Sequence, residues 1–528
     1  DASRMDSLFR HSGLMRVKGT SGNLAVNADL VGDAGRLEVE GTFDASEPGY
    51  RATARGSVTG LDLRRFLARD DLPATALAVR WTSDVRGDSL ADLRGIAALH
   101  VDRSLVDSVR VFGGDAHLRF LSGTLAVDSL HLESAAFSAA ARGRLSLAPG
   151  RAGDSVSFRV MFDSLGGLRR VLAGSPALAD SAAPADTSAL DGTLLIDGAL
   201  GGSWPALRLD ATATGTDLRV GTAFAKDVDA SAHLTFPLDS LRGDAHLHVT
   251  GLAVGGVRLN SLNATADIRS PGHAVTEFNA ELSSGPAANA RADVAWSGDT
   301  TDVRLERLRL TANGNDWVLR SPSRITRAGA AWTVDSLVVV GRTAGRISLR
   351  GSIPDVAEMA AEFEAIDLPL ADVGELAQVK SPLSGSVRLA ANLSGTRDAP
   401  VMLLDASVRD ALVAGMHLER ADATGRYAER SVEATVSALH QGVTALRVDA
   451  TIPVDLRFRS VRQRLLADAP LRATVHSDAV GMALLELLTA EVTKTRGALT
   501  LDATISGTVR QPRVNGSLHI VNGGLDLP

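Results

Sequence analysis

The sequence predicts a mainly β protein: an antiparallel sheet of repeated hairpin units, interrupted by four short amphipathic helices. Three observations predict it. Apolar and polar residues alternate in short runs, as in Leu37-Glu38-Val39-Glu40, Ala245-His246-Leu247-His248-Val249 and Arg346-Ile347-Ser348-Leu349-Arg350, which is strand periodicity with one apolar face. Turn chemistry punctuates these runs at Glu47-Pro48-Gly49, Ala148-Pro149-Gly150, Ser270-Pro271-Gly272 and Asn313-Gly314-Asn315, so neighbouring strands pair through hairpins. A strand phrase also recurs without a gap at Gly192–Gly202, Gly385–Gly395 and Gly497–Gly507.

In that phrase the apolar residues stand at matching positions: Leu194, Ile196 and Leu200; Val387, Leu389 and Leu393; Leu499, Leu501 and Ile505. A turn then leads to Pro205, Pro400 or Pro512, each opening another strand. A looser copy runs through Leu77, Val79, Trp81, Val85 and Gly87; its two extra residues are an even insertion, which keeps the same face inward. The string apolar-Asp-Ser-apolar, at Val106–Val109, Val127–Leu130 and Val334–Leu337, breaks the period of two, and a bulge or bend restores both apolar residues to one face.

Helical spacing replaces strand spacing at four places. They are Leu63, Phe66 and Leu67; Leu165, Leu168, Val171 and Leu172, between Asp163 and Gly174; Leu370, Val373, Leu376 and Val379 after Pro369; and Val480, Leu484, Leu487 and Leu488 after Asp478. The whole chain, 1–528, reads as one continuous repeat with approximate units 1–60, 61–162, 163–366, 367–478 and 479–528. The number of hairpins between phrases varies, so a fixed-period solenoid is not indicated. Residues 174–190 lack periodicity and read as an exposed loop or linker.

Composition narrows the chemistry. With 55 Lys+Arg against 62 Asp+Glu the net charge is -7, and only four lysines are present, which argues against the basic face a nucleic-acid binder needs. The absence of cysteine excludes thiolate zinc sites, disulfides and cysteine nucleophiles. No stretch free of Asp, Glu, Lys and Arg exceeds thirteen residues, reached at Ala245–Val257 and Ala434–Leu446, too short for a membrane-spanning helix. No lysine follows a glycine, and neither His-Glu-x-x-His nor Gly-x-Ser-x-Gly occurs, so phosphate loops and the commonest hydrolase strings are missing.

The remaining polar groups have plain readings. Asp244, His246 and His248 share one strand face and could be metal ligands, but the wet face of an amphipathic strand explains them better. Asp70 with Asp71, and Glu362 with Glu364, lack a partner histidine and read as surface acids. Arg457, Arg459, Arg462 and Arg464 could meet anionic lipid, but a solvated loop is the simpler account. No catalytic constellation, metal or cofactor is expected.

That leaves the apolar stripe. Four short helices cannot cover several hundred residues of strand, so the sheet must bury its apolar face on itself by curling, or on a ligand. Aromatics make up only 4% of the chain, and a wall of Leu, Val, Ile and Ala suits acyl chains better than sugars or bases.

The run Gly497–Pro528, with its strand, Gly-Thr turn, proline, strand and closing Gly-Gly-Leu-Asp-Leu-Pro, resembles the TamB family, translocation and assembly module subunits within the wider AsmA-like group. The same phrasing at Gly385–Leu404 and Gly192–Leu209, and Val58-Thr59-Gly60-Leu61-Asp62-Leu63 before Leu72-Pro73, extends the resemblance over nearly the whole chain. It is a resemblance of repeat grammar, not of an active-site string. It implies an elongated curled sheet, a β-groove of taco-like cross-section, in the periplasm of a diderm bacterium. It implies intermembrane phospholipid transport and help in assembling outer-membrane β-barrel proteins, with an Omp85-type barrel as partner. Family members carry an inner-membrane anchor and a further C-terminal domain, so this chain is expected to be an internal segment, with barrel binding left to regions outside it.

The expectation is therefore a non-enzymatic lipid conduit whose wall includes Leu194, Ile196, Leu200, Val387, Leu389, Leu393, Leu499, Leu501 and Ile505. Phospholipid acyl chains are the expected partner. Two rivals stand beside it: a chaperone that pairs its sheet edge with nascent barrel strands, and a structural spacer whose stripe is fully packed.

Overall fold

The computed structural model describes residues 12–20, 22–46, 49–67, 72, 74–107, 109–148, 154–168, 190–236, 241–378, 383–413, 416–440, 442–458, 463–481 and 493–526. The chain divides into two compact units, Asp1–Pro271 and Gly272–Pro528. Among the described residues the first holds sixteen strands, from Ser12–Thr20 to Val257–Ser270, and the second sixteen more, from His273–Leu282 to Pro512–Asp526. Neighbouring strands within each unit form antiparallel ladders; among the described residues the one parallel contact is a single pair, Ser146 beside Ser203.

The recurring phrase forms the strands Leu190–Ser203, Ser384–Gly395 and Thr493–Gly507, and the next strands begin at Ala206, Pro400 and Pro512. Its closing glycines are obligatory. Gly202, Gly395 and Gly507 have φ of +91°, +78° and +94°, where a side chain is strained. A Cβ there would stand 2.5, 2.4 and 2.5 Å from the carbonyl oxygens of Ala206, Ala399 and Gln511. The repeated glycine is thus the residue that lets the chain double back before the proline.

The Asp-Ser strings behave in two ways. At Val127–Leu130 and Val334–Leu337 the register slips by one residue against the neighbouring strand, which is the expected bulge. Val106 and Val109 instead face each other as the last pair of a tight hairpin.

The structure holds two α-helices among the described residues, not four: α1, Leu63–Leu67, and α2, Leu370–Leu376. Of the second expected helix the described residues form one 3-10 turn, Leu165–Leu168, which contains Gly166 and Gly167; adjacent glycines cost helix about 1 kcal/mol each. Its Val171 and Leu172, and the 174–189 part of the expected linker, lie outside the described residues, while Leu190 opens a strand. Of the fourth, Val480 belongs to the strand Arg472–Gly481 and the rest lies outside the described residues. Start signals serve α1: Asp62 accepts the Arg64 amide at 3.1 Å, and Thr75 Oγ1 accepts the Leu63 amide at 2.7 Å.

Candidate functional site

Register carries the apolar alternation from strand to strand. In the first unit one row of directly paired residues crosses fifteen strands: Met15, Ala28, Val39, Gly56, Trp81, Leu99, Ala116, Leu130, Ala141, Phe158, Gly198, Ala211, Ala232, Ala245 and Ala266. No polar side chain interrupts it. In the second unit a row runs from Leu337 through Leu349, Phe363, Ala391, Leu404, Gly425, Ala434, Ala450 and Ala473 to Ile505 and Val514. Side chains alternate across a strand, so each row marks one face, and that face is apolar.

The sequence-predicted wall residues take their places in these rows. Leu194, Ile196 and Leu200 pair with Phe162, Val160 and Val156 on one side and with Gly215, Ala213 and Leu209 on the other. Val387, Leu389 and Leu393 pair with Leu368, Ala365 and Ala361, then with Val408, Ala406 and Met402. Leu501 and Ile505 pair with Leu518 and Val514, and Leu499 with Ile520. Leu499 is buried and the other eight are half-buried.

A sandwich would cover these rows with a second layer. Among the described residues the strands of each unit instead form one layer, and large side chains of the apolar face reach solvent: Leu99 is 41% exposed, Phe278 38% and Leu404 43%. The face is also smoothed. Trp81 is paired directly with Gly56, and Phe158 with Gly198. A Cβ on either glycine would meet the ring, at 2.5 Å from Trp81 Cζ2 and 2.4 Å from Phe158 Cζ, so each ring lies over its glycine instead of standing off the wall.

The opposite face is hydrophilic and tied across strands by ion pairs, among them Arg51 with Asp84 at 2.7 Å, Arg80 with Asp102 at 2.8 Å and His476 with Asp502 at 2.5 Å. Such exposed pairs contribute little individually but favour one register. A cavity of about 980 Å³ lies on this polar side, over the row Asp405, Thr424, Thr435, Asp449, Thr474 and Thr504. A twisted sheet is saddle-shaped, so each face is hollow along one diagonal; this hollow is polar and offers no wall for acyl chains.

The other candidates resolve within the polar face. His246 stands 3.3 Å from Asp244 and His248 pairs with Asn263 at 2.6 Å. Among the described residues no group of His, Asp or Glu is arranged to hold a metal. Glu362 accepts Arg350 Nε at 2.8 Å, and Asp70 and Asp71 lie outside the described residues. The arginine loop is not freely solvated. Arg457 grips the buried Asp455 at 2.5 Å and holds its carboxyl well below the usual carboxylate range, while Arg464 Nη1 donates to the Asp455 carbonyl at 3.1 Å. Arg459 and Arg462 lie outside the described residues.

The helix expected after Pro369 is present, but its anchoring escaped sequence reasoning. Helix α2 sits on the apolar side of the second unit, where Leu370 packs against the buried cluster Ala411, Leu418, Ala438 and Ala445. Its Asp372 is 2% exposed and accepts Trp317 Nε1 at 2.9 Å and Asn315 Nδ2 at 2.8 Å. Ser284 Oγ donates to the Glu375 carbonyl at 3.2 Å, and the Glu375 carboxylate accepts the Asn313 amide. A carboxylate in the first turn of a helix was visible in the sequence; its partners, 55 and 57 residues away, were not.

Among the described residues no helix is long and apolar enough to cross a membrane. No curated protein and no solved structure matches the chain. The family model described as TamB, N-terminal domain, matches residues 186–520, which takes in the three glycine-bounded strand phrases, their prolines and helix α2. That match covers more than half of the 528 residues, and the chain belongs to the TamB family of bacterial envelope proteins.

Proposed function

We propose that the chain is a non-enzymatic conduit for phospholipid between the membranes of the bacterial envelope. Acyl chains lie along the apolar face, and headgroups ride at the ends of the strands. The observation that carries this reading is the uncharged row across fifteen strands of one unit, left without a second layer among the described residues. Transfer needs no covalent step. Each methylene brought out of water is worth about 0.8 kcal/mol, so the barrier to crossing an aqueous gap falls in proportion to the length of acyl chain kept on the wall.

The groove needs the sheet to curl, and helix α2 supports that. The strands carrying Trp317 and Ala411 are five inter-strand steps apart, about 24 Å of sheet. Asp372 and Leu370 touch the two regions from positions two residues apart on one helix, a reach of less than about 20 Å. A periplasmic setting and an Omp85-type partner, engaged through regions beyond this segment, complete the reading.

A face-specific cross-link tests it. A photoreactive residue at Leu389, on the apolar face, captures phospholipid in the cell envelope; one at Arg388, its neighbour on the polar face, does not. Equal capture at both positions, or none at Leu389, overturns the conduit.

A further inference from the structure

We infer that the polar hollow of the second unit binds a carboxylate-bearing glycan chain, laid across the strands on the face opposite the apolar wall. The inference goes beyond the conduit reading and does not depend on it.

The hollow is bounded by two cross-strand rows. One runs from Asp405 to Thr504; the other, two residues along each strand, is Asn392, Leu403, Arg426, Glu433, Thr451 and Arg472. Gly425, Ala434, Ala450 and Ala473 lie between the rows and belong to the opposite face, so the floor is backbone. The strands Ser384–Gly395 and Thr493–Gly507 are six inter-strand steps apart, which makes the hollow a trough about 29 Å long and about 7 Å wide.

Around the trough the polar face closes on itself. Arg420 pairs with Asp422 at 2.7 Å, Arg447 with Asp449 at 3.1 Å and His476 with Asp502 at 2.5 Å. Inside it the side chains stand open. Asp405, Arg426, Glu433, Thr451, Arg472 and Thr474 are exposed. Among the described residues none of these six makes a side-chain hydrogen bond or ion pair, although Arg426 and Glu433 are paired directly across their strands.

The trough therefore offers hydroxyls that donate and accept, carboxylates that accept and guanidiniums that donate. Asp405, Glu433 and Asp449 against Arg426 and Arg472 argue against a nucleic acid, whose phosphates need a basic track. An extended peptide is poorly served, because the floor strands spend their amides and carbonyls on ladders to both sides and leave no edge to pair with. A glycan presents hydroxyls along its whole length and needs no backbone pairing. Arg426 and Arg472, three steps or about 14 Å apart, add two guanidinium forks for carboxylates recurring along such a chain. Among the described residues no aromatic ring lines the trough to stack on a sugar, so the charges carry the selectivity.

The test is ligand-observed saturation-transfer NMR on the full chain. One probe is soluble bacterial cell-wall glycan freed of its peptides, with a lactyl carboxylate on alternate sugars; the other is chito-oligosaccharide of the same length, with the same linkage and no acid. The acidic strands should half-saturate at about tenfold lower concentration, the scale of one charge-assisted contact. Arg426→Gln combined with Arg472→Gln should bring them to the neutral level, and Thr451→Val should weaken both glycans. Arg388→Gln, on the same face but outside the trough, should change neither. No signal from either glycan, equal binding of the two, a preference kept in the double variant, a loss as large in Arg388→Gln, or displacement by polyglutamate at equal carboxylate concentration overturns the site. Each of those results leaves the conduit reading standing, because lipid carried on the opposite face is measured separately by extraction.

Discussion

Helix α2 is held mainly by polar contacts, so Asp372→Ala should release it. The substitution strips the acceptor from Trp317 Nε1, and leaves Asn315 Nδ2 only the Ala344 carbonyl at 3.3 Å. A buried donor left without a partner costs about 1–3 kcal/mol, and relief of the carboxylate's own desolvation offsets part of the total. A net loss of about 2–3 kcal/mol exceeds what one half-buried leucine, Leu370, returns, about 1 kcal/mol. Hydrogen exchange read by mass spectrometry on the Leu370–Leu376 peptide is the assay. Its amides should exchange about 30- to 160-fold faster, the same free energy expressed as a local opening constant. Asp372→Asn, which keeps one acceptor oxygen, should fall between. Helix amides as protected in Asp372→Ala as in the unaltered chain would refute the latch.

Gly56→Val should drive Trp81 off the wall and cost about 1–3 kcal/mol, since the new Cβ would also stand 2.5 Å from the Glu38 carbonyl oxygen; a thermal melt of Gly56→Val combined with Trp81→Leu should show less than additive loss, and strict additivity would mean the ring does not rest on the glycine. His476 has its pKa raised, first by the hydrogen bond to Asp502 and then by that to Asp478. Its favourable contribution is thus full below the unfolded value near 6.5 and fades as pH rises through the higher folded value. A histidine NMR titration should place the midpoint above 6.5, and Asp502→Asn should bring it down; a midpoint unmoved by that change would remove the pair.

Much of this architecture was legible in the sequence because it is local. Alternation assigns faces residue by residue, and a face assigned on one strand carries across the sheet by register, which is why Leu194, Leu389 and Leu501 all fall on the apolar side. The Gly-to-Pro turns were legible for the same reason. Helices were over-read: Leu165 and Leu168 have helical spacing, but Gly166 and Gly167 between them leave only a tight turn. Contacts between distant residues left no local signal. Nothing near Asp372 announces Trp317, and Gly56 gives no hint that Trp81, 25 positions on, will lie over it. The arginine run at 457–464 looked like solvated charge until Asp455 was placed within it.

The central claim is that the apolar face carries lipid, and native mass spectrometry of the chain purified from bacterial envelope, with extraction of whatever it holds, tests it most directly. Several phospholipids per chain are expected, with fewer in Leu389→Asp and in Leu501→Asp, each of which sets a charge into an otherwise uncharged row while leaving the strand ladders in place. A folded chain that carries no lipid and excludes hydrophobic dye, or occupancy unaltered with both substitutions, would contradict it.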